Sequence, residues 1–348
     1  MGLTTALARL AARNPHVLIV EAPGAWQQRA TLERRASRRG WRLADSPAGA
    51  DALAMCGTPG PELTEAIDQV WEQLPGPRVR LALGGDAGDD AVDVALDRAS
   101  AEIVDTARHR ADARQRAAEP EVETGDMDMG DDMDMDEMDH GDMDMEMSPS
   151  GIALAEGGDD RDGLEMDVLH LRLGPVLRYW PAGVVVRCSL QGDLIVDAEA
   201  WAVDTDQLPS PATPFDPRIE AARECDQLVS LLALAGWPHG ATQARRVRDL
   251  LLAGDQQAAA QLDALRRTVT RSRTFQWSMR GVTDGHTRML EQARAVLTDS
   301  APPNDTTALS SLPERIIGCE LATARLVIAG LGTLELTDAA ARPDGAHG

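Results

Sequence analysis

Short apolar runs alternate with segments of helical spacing through the first third of the chain. The runs HVLIVE, DALAM and VRLAL have the length of buried strands, and turn residues follow the first two. Between them, Trp26–Arg39 and Pro61–Leu74 carry apolar residues at helical spacing, and Pro61 followed by Glu62 is typical of a helix start. The alternation predicts an α/β domain with an open, mostly parallel sheet. Its predicted strands are His16–Glu21, Trp41–Leu43, Asp51–Met55 and Val79–Leu83.

A charged helix is predicted after this sheet. Residues Asp89–Glu119 have helical spacing with a modest apolar stripe that includes Val92, Leu96 and Ile103. We therefore expect one long helix, docked over part of its length and solvated over the rest. It ends where the chain becomes strongly acidic.

The pattern after residue 163 predicts strands followed by helices. Asp167–Leu173 and Gly183–Ala200 have strand character, and Gln191-Gly192-Asp193 interrupts the second segment as a tight turn, which indicates a β-hairpin. Apolar residues at helical spacing then predict a helical core, so the expected fold class of this domain is α+β, a β-hairpin then helices. The predicted helices are Arg218–Leu234, Thr242–Leu252, Gln256–Thr270, Thr283–Leu297 and Pro313–Leu331.

An acidic, methionine-rich block separates the two patterns. From Gly125 to Met147 aspartate alternates with methionine around His140, and eight of the 13 methionines of the chain lie there. Such a block has too little apolar surface to offset the entropy lost on ordering, so we expect it to be disordered. The predicted organisation is an α/β domain in residues 1–118, a disordered Met/Asp-rich linker in 119–163, a hairpin-plus-helical domain in 164–338 and a disordered tail in 339–348.

Charge and cysteine usage narrow the classes of function. The net charge is −23, and residues 121–147 contribute 13 acidic groups and no basic ones. This balance argues against sequence-independent binding to nucleic acid, and no segment has the roughly 18 apolar residues of an integral membrane span. From its first residues we also expect no secretory signal, because they have no apolar h-region or cleavage site. We expect a cytoplasmic protein with free thiols, because its four cysteines lie far apart: Cys56, Cys188, Cys225 and Cys319.

Methionine pairs in the acidic block point to a metal site. Thioether sulfur suits Cu(I), and carboxylate or imidazole suits Cu(II). Met-x-Met pairs around His140 could supply a flexible copper site, and the alternative is a solvated acidic linker or interaction segment. The candidate ligands are Met127, Met129, Met133, Met135, Met138, His140, Met143 and Met145.

The histidines outside the acidic block are weaker candidates for catalysis or metal binding. His170 lies in a predicted strand, His239 follows Trp237-Pro238 at a helix start, and His286 lies near another helix start. Structural or capping roles account for these positions. No serine, cysteine or carboxylate shows the spacing of a catalytic triad or an acid/base pair, so no catalytic residue is assigned.

Two stretches of the chain resemble a known pair of subunits. Residues 50–84, ADALAMCGTPGPELTEAIDQVWEQLPGPRVRLALG, are similar to the segment shared by nickel–iron hydrogenase small subunits and the quinone-proximal iron–sulfur subunit of respiratory complex I. Residues 173–199, LGPVLRYWPAGVVVRCSLQGDLIVDAE, resemble the opening hairpin of the partner, which is the hydrogenase large subunit or the quinone-cradling complex I subunit. The resemblance implies two subunits fused in one chain, with a shortened helical bundle at the end.

The resemblance also implies cofactors whose ligands this chain lacks. In the small subunits, cysteines near the end of the first strand and after the later strand's glycine ligate an iron–sulfur cluster. Here these positions read Glu21-Ala22-Pro23-Gly24 and Gly84-Gly85-Asp86. The two C-x-x-C pairs that bind nickel and iron in the large hydrogenase subunits are also absent. The complex I counterpart has a quinone-associated histidine in its hairpin loop; here Tyr179 stands in that loop, either as a hydrogen-bond donor or as an anchor.

These departures favour binding over electron transfer. We expect a relative without an iron–sulfur cluster or nickel that acts as a binding or assembly partner of a related redox complex. Two alternatives stay open. One is a copper-binding protein that acts through the acidic block, and the other is an oxidoreductase of the NADH/quinone or hydrogenase type with an unrecognised cofactor site.

Overall fold

Four parallel strands form the sheet of the first domain. The structure is a computed structural model that describes residues 14–85, 87–118, 156–159, 165–205, 215–299 and 306–336. Its first strands are β1 (His16–Glu21), β2 (Arg42–Leu43), β3 (Ala52–Cys56) and β4 (Val79–Leu83). They lie in the order β2-β1-β3-β4 and pair in parallel. The predicted parallel α/β sheet is confirmed.

Helices alternate with these strands and then continue beyond them. They are α1 (Trp26–Arg38), α2 (Pro61–Gln73), α3 (Asp89–Ile103) and α4 (Thr106–Ala118). The prediction of a single helix over residues 89–119 is wrong, because the helix is interrupted between α3 and α4. There the Asp105 carboxylate accepts hydrogen bonds from the backbone N–H groups of Ala107 and Arg108 at 3.0 and 3.1 Å. This side-chain cap satisfies donors that have no partner inside a helix, so a new helix begins.

A four-stranded antiparallel sheet opens the second domain. Its strands are β5 (Glu156–Asp159), β6 (Glu165–Leu173), β7 (Val184–Gln191) and β8 (Leu194–Ala202), which pair in sequence order. The predicted hairpin is confirmed as β7 and β8, with Gly192 at a φ of 61° in the turn. Strand β5 lies inside the range predicted as linker, so the second sheet begins before residue 164. The rest of that range and the predicted tail lie outside the described residues.

Helices and a short parallel pair of strands complete the second domain, which confirms its predicted helical part. The elements are α5 (Pro217–Leu234), α6 (Pro238–Leu252), α7 (Ala258–Arg271), α8 (Arg273–Ser278), α9 (Gly285–Asp299), β9 (Thr306–Ala308), α10 (Leu312–Ile316), α11 (Leu321–Gly330) and β10 (Thr333–Glu335). The helix predicted over 313–331 is two helices, separated at Gly318 with a φ of 83°. Within the described ranges, no helix is long and apolar enough to cross a membrane.

The two domains share buried contacts. Strand β7, strand β8 and the residue after it add three buried side chains to the core of the first sheet: Val185, Trp201 and Val203. Next in the chain, the buried Asp204 carboxylate accepts hydrogen bonds from the backbone N–H groups of Glu62 and Leu63 at 3.1 and 3.0 Å. These donors belong to the first turn of α2, where a negative charge is favoured. Asp204 therefore caps a helix of the other domain and fixes the two domains together.

Candidate functional site

A cavity of about 370 Å³ lies between the two domains. Its walls are β1 with the turn after it, the loop of residues 174–183, helix α5, and the chain around α11 and β10. Ligand sites occur preferentially at domain boundaries and beyond the carboxyl ends of parallel strands. The cavity lies at the domain boundary, and its wall includes the turns after β1 and β2, which makes it the candidate functional site.

A buried group of charges lies against the cavity, and most of its members line it. Arg29 on α1 pairs with the carboxylates of Glu21, Glu33 and Asp226. Arg248 on α6 is fully buried and pairs through Nη1 with Glu33 Oε2 at 2.8 Å and Asp226 Oδ1 at 2.7 Å. We call these five residues the ionic cluster. Because the first domain supplies three of them and the second domain two, the ionic cluster joins the domains.

Burial and ion pairing shift two carboxyl groups of the ionic cluster in opposite directions. Burial raises the pKa of Glu21, and the attraction of Arg29 offsets this only in part. Burial also acts to raise the pKa of Glu33, but Arg248 and two further guanidinium groups outweigh it and hold that pKa well below its usual range. Of these two groups, Glu21 therefore accepts a proton more readily, and Glu33 stays ionised.

One member of the ionic cluster, Glu21, lies at a position where the resemblance implies a cysteine ligand. Glu21 ends β1, and after β4 the carbonyl oxygen of Gly84 accepts a hydrogen bond from Gln28 Nε2 at 2.8 Å. The thiol nearest in register is Cys56, which is paired with Glu21 across β1 and β3. Burial raises the pKa of Cys56 strongly, so its thiolate is disfavoured. A cubane iron–sulfur cluster needs several thiolates converging at one place, and these residues do not fit one.

The loop of residues 174–183 brings Tyr179 to the cavity. Tyr179 has a φ of 59°, lines the cavity and packs against the helical core. The Arg178 guanidinium lies over its ring, 4.7 Å from the centroid, and donates hydrogen bonds to the Leu43 carbonyl oxygen at 3.2 Å and to the Asp45 carboxylate. These contacts support the anchoring role for Tyr179, which also lines the cavity.

The chain was compared with protein-family models, with curated proteins and with solved structures. None of the three comparisons found a match. The resemblance to hydrogenase and complex I subunits therefore stays a prediction that rests on the two quoted stretches of sequence.

The predicted metal ligands lie outside the part of the chain that the structure describes. They are Met127, Met129, Met133, Met135, Met138, His140, Met143 and Met145. Within the described ranges, no group of three or more histidine, cysteine or acidic side chains is arranged to hold a metal ion.

The other histidines singled out in the sequence have structural surroundings. The ring Nδ1 of His170 and the hydroxyl of Ser189 are 2.9 Å apart across β6 and β7. His239, in the first turn of α6, hydrogen-bonds a side chain one turn along the helix. His286 is buried with its ring edge-on to Phe275, 5.0 Å between centroids, and burial lowers its pKa. None of the three lines the cavity.

Pattern reasoning missed the ionic cluster. Its members come from β1, α1, α5 and α6, so sequence proximity does not connect them. Two local signals were present. Glu21 ends an otherwise apolar strand, and Arg29 and Glu33 have the i, i+4 spacing that places two side chains on one helix face. Neither signal shows which residues of the second domain complete the cluster.

A second group of residues with unusual chemistry lies on α7, on α8 and in the turn after α8. Trp277 is 71% exposed. Four exposed arginines surround it in sequence, and none forms an ion pair with another described residue: Arg267, Arg271, Arg273 and Arg280. Arg267 and Arg271 are four residues apart on α7, as are Arg273 and Trp277 on α8, so each pair shares a helix face. We call these five residues the Trp277 surface.

Proposed function

We propose that this protein acts by binding a protein partner in a redox complex of the hydrogenase or complex I type, without carrying out electron transfer itself. The observation that carries the proposal is the Trp277 surface. In a chain with a net charge of −23, four exposed arginines close in sequence to an exposed tryptophan have no acidic partner within the described ranges. Tryptophan and arginine supply much of the binding energy at protein interfaces. The partner is therefore expected to present acidic groups around an apolar pocket.

Two further features support this role. The resemblance supplies the kind of partner, since the family's subunits work inside multi-subunit redox complexes. Glu21 supports the loss of electron transfer, because its carboxylate, paired with Arg29, stands where the resemblance implies a thiolate ligand. We infer a cytoplasmic location from the free cysteines, since buried unpaired thiols are typical of a reducing compartment.

A second candidate function is copper binding by residues 125–147. Three Met-x-Met pairs around His140 favour it, because ordinary acidic linkers do not concentrate thioethers. The thioethers suit Cu(I), and the carboxylates and imidazole suit Cu(II). Copper that binds the whole chain in stoichiometric amount and is lost on deletion of residues 125–147 would support this candidate.

Truncating the Trp277 surface is expected to release the partner. Trp277→Ala removes the anchor, and a central interface tryptophan contributes about 2 kcal/mol or more, which corresponds to roughly 30-fold in affinity. The double variant Arg267→Gln/Arg271→Gln removes two adjacent charges and is expected to weaken binding most at low salt. The measurement is recovery of hydrogenase-type or complex I-type subunits with the tagged full chain from its native cells, quantified by mass spectrometry.

Matched controls exist elsewhere on the protein. Val94 on α3 is 68% exposed, so Val94→Ala controls for the loss of exposed apolar surface. Arg110 and Arg114 are exposed, four residues apart on α4, and form no ion pair with a described residue, so Arg110→Gln/Arg114→Gln controls for the loss of charge. Both controls should recover the partner as wild type does. Equal recovery by control and Trp277-surface variants, or no related redox subunit above background, would contradict the proposal.

A further inference from the structure

Polar side chains that do not belong to the ionic cluster also line the cavity. Arg223, Gln227 and Ser230 stand on α5 at positions i, i+4 and i+7, so they share one helix face, and all three line the cavity. Tyr179 lines the same cavity from the loop of residues 174–183. Four polar side chains of different kinds therefore line one space from two elements.

Two of these groups have unused hydrogen-bonding capacity. Arg223 forms no ion pair or hydrogen bond with any residue in the described ranges. Gln227 donates from Nε2 to Thr333 Oγ1 at 2.9 Å, whereas its carbonyl oxygen is buried and has no hydrogen-bond partner there. An unpaired buried acceptor is costly, and a ligand that donates to it removes that cost. The cavity wall thus offers a cation and an acceptor to an incoming molecule.

Charge pairing around the cavity leaves Arg223 as the guanidinium available to a ligand. The cavity-facing carboxylates Glu21 and Asp226 are paired with Arg29 in the ionic cluster. Across the cavity, the Asp45 carboxylate is paired with Arg178. Arg223 is the arginine of the cavity lining without such a carboxylate among the described residues. A planar guanidinium in this situation matches a carboxylate through two parallel hydrogen bonds.

Much of the remaining lining is apolar and partly aromatic. It includes Trp26, Val176, Trp180, Ile328 and Leu334. A volume of about 370 Å³ is at the lower end of the range for small-molecule sites, roughly 300–1,000 Å³. We propose that the cavity binds a small organic acid, with its carboxylate on Arg223, its apolar or aromatic body against these side chains, and a donor group on the Gln227 carbonyl oxygen. This site is independent of the Trp277 surface and of any partner bound there.

A matched pair of probes tests the proposed charge selectivity on the full chain. The probes are 2-naphthoate and its neutral counterpart 2-naphthamide, titrated in turn by calorimetry. We expect one site per chain and at least tenfold tighter binding of the naphthoate. Arg223→Gln should reduce naphthoate affinity at least tenfold and leave the two probes nearly equal. Arg246→Gln, an exposed arginine on α6 that does not line the cavity, should bind both probes as wild type does.

Three outcomes would overturn the proposal. They are no naphthoate binding at millimolar concentration, equal or tighter binding of naphthamide by wild type, and unchanged naphthoate affinity in Arg223→Gln. The comparison of the two probes on wild type stands even if the variant fails to fold. Partner recovery through the Trp277 surface is measured in a separate experiment. A failure of the proposed organic-acid site therefore does not affect the test of partner binding, and the reverse also holds.

Discussion

Replacing Arg248 by methionine is expected to lower the free energy of unfolding by about 3–5 kcal/mol. The Arg248 side chain is fully buried and pairs with Glu33, Asp226 and Asp249. Methionine keeps much of the apolar volume but leaves the buried carboxylates short of one cation. The cost of an uncompensated buried charge then exceeds any gain from the new apolar contacts. Urea-induced unfolding, followed by tryptophan fluorescence, measures the difference.

Arg246→Met is the matched control for this variant. Arg246 lies two residues away on the same helix, is exposed, and forms no ion pair with a described residue. Its substitution should change the free energy of unfolding by no more than about 0.5 kcal/mol. Equal stabilities of the Arg248→Met and Arg246→Met proteins would show that the ionic cluster does not hold the domains together as described.

The effect of Arg248→Met is expected to depend on pH. Because the pKa of Glu33 is lowered in the fold, ionised Glu33 stabilises the fold above the pKa of the unfolded chain, about 4.3. That stabilisation is lost as pH falls through this value toward the lower folded pKa. The stability difference between wild type and Arg248→Met should therefore shrink as pH falls below about 5, and keep shrinking below the unfolded pKa of about 4.3. The raised pKa of Glu21 contributes with the opposite sign, and Glu21 is present in both proteins.

Substituting Gly174 by alanine is expected to cost about 2–4 kcal/mol and to disturb the cavity. Gly174 begins the cavity loop with a φ of 85°, and an added Cβ would lie 2.2 Å from the Val184 carbonyl oxygen. The same oxygen accepts the hydrogen bond from Trp180 Nε1 at 2.8 Å. The methyl group therefore forces this contact apart and displaces the loop that carries Arg178 and Tyr179. Urea unfolding gives the stability change, and the tryptophan emission spectrum reports the displaced Trp180.

Gly236→Ala separates the backbone cost from the steric cost. Gly236 follows α5 with a φ of 72°, and an added Cβ there meets no atom within 4 Å. Only the positive φ is penalised, so the expected cost is about 1 kcal/mol. If Gly174→Ala costs no more than Gly236→Ala, the loop is not held against Val184 as the structure shows.

The local pattern of apolar, polar and turn residues predicted the elements well where a segment's own residues determine its structure. The apolar run at His16–Glu21 gave β1, and Gln191-Gly192-Asp193 gave the turn of the β7–β8 hairpin. The prediction was wrong where one polar side chain redirects the backbone inside a periodic pattern. Asp105 ends α3 and starts α4 by capping, although the charged helical composition continues on both sides.

The candidate site was less accessible to sequence reasoning than the fold. The i, i+4, i+7 spacing of Arg223, Gln227 and Ser230 is visible in the sequence, but a polar helix stripe usually faces water. These residues line the cavity because α5 and β1 both contribute to its wall, and the sequence does not show that arrangement. Likewise, the pairing of Arg29 with Asp226 depends on how the domains dock. Both features depend on contacts between residues that are far apart in the chain.

Metal analysis together with a visible absorption spectrum of the anaerobically purified full chain tests most directly whether the protein acts by binding alone. A protein without a redox centre is expected to contain neither iron nor nickel in stoichiometric amount and to show no band near about 400 nm. Copper as the sole bound metal would favour the second candidate function. Stoichiometric iron with absorbance near about 400 nm would contradict the proposed function.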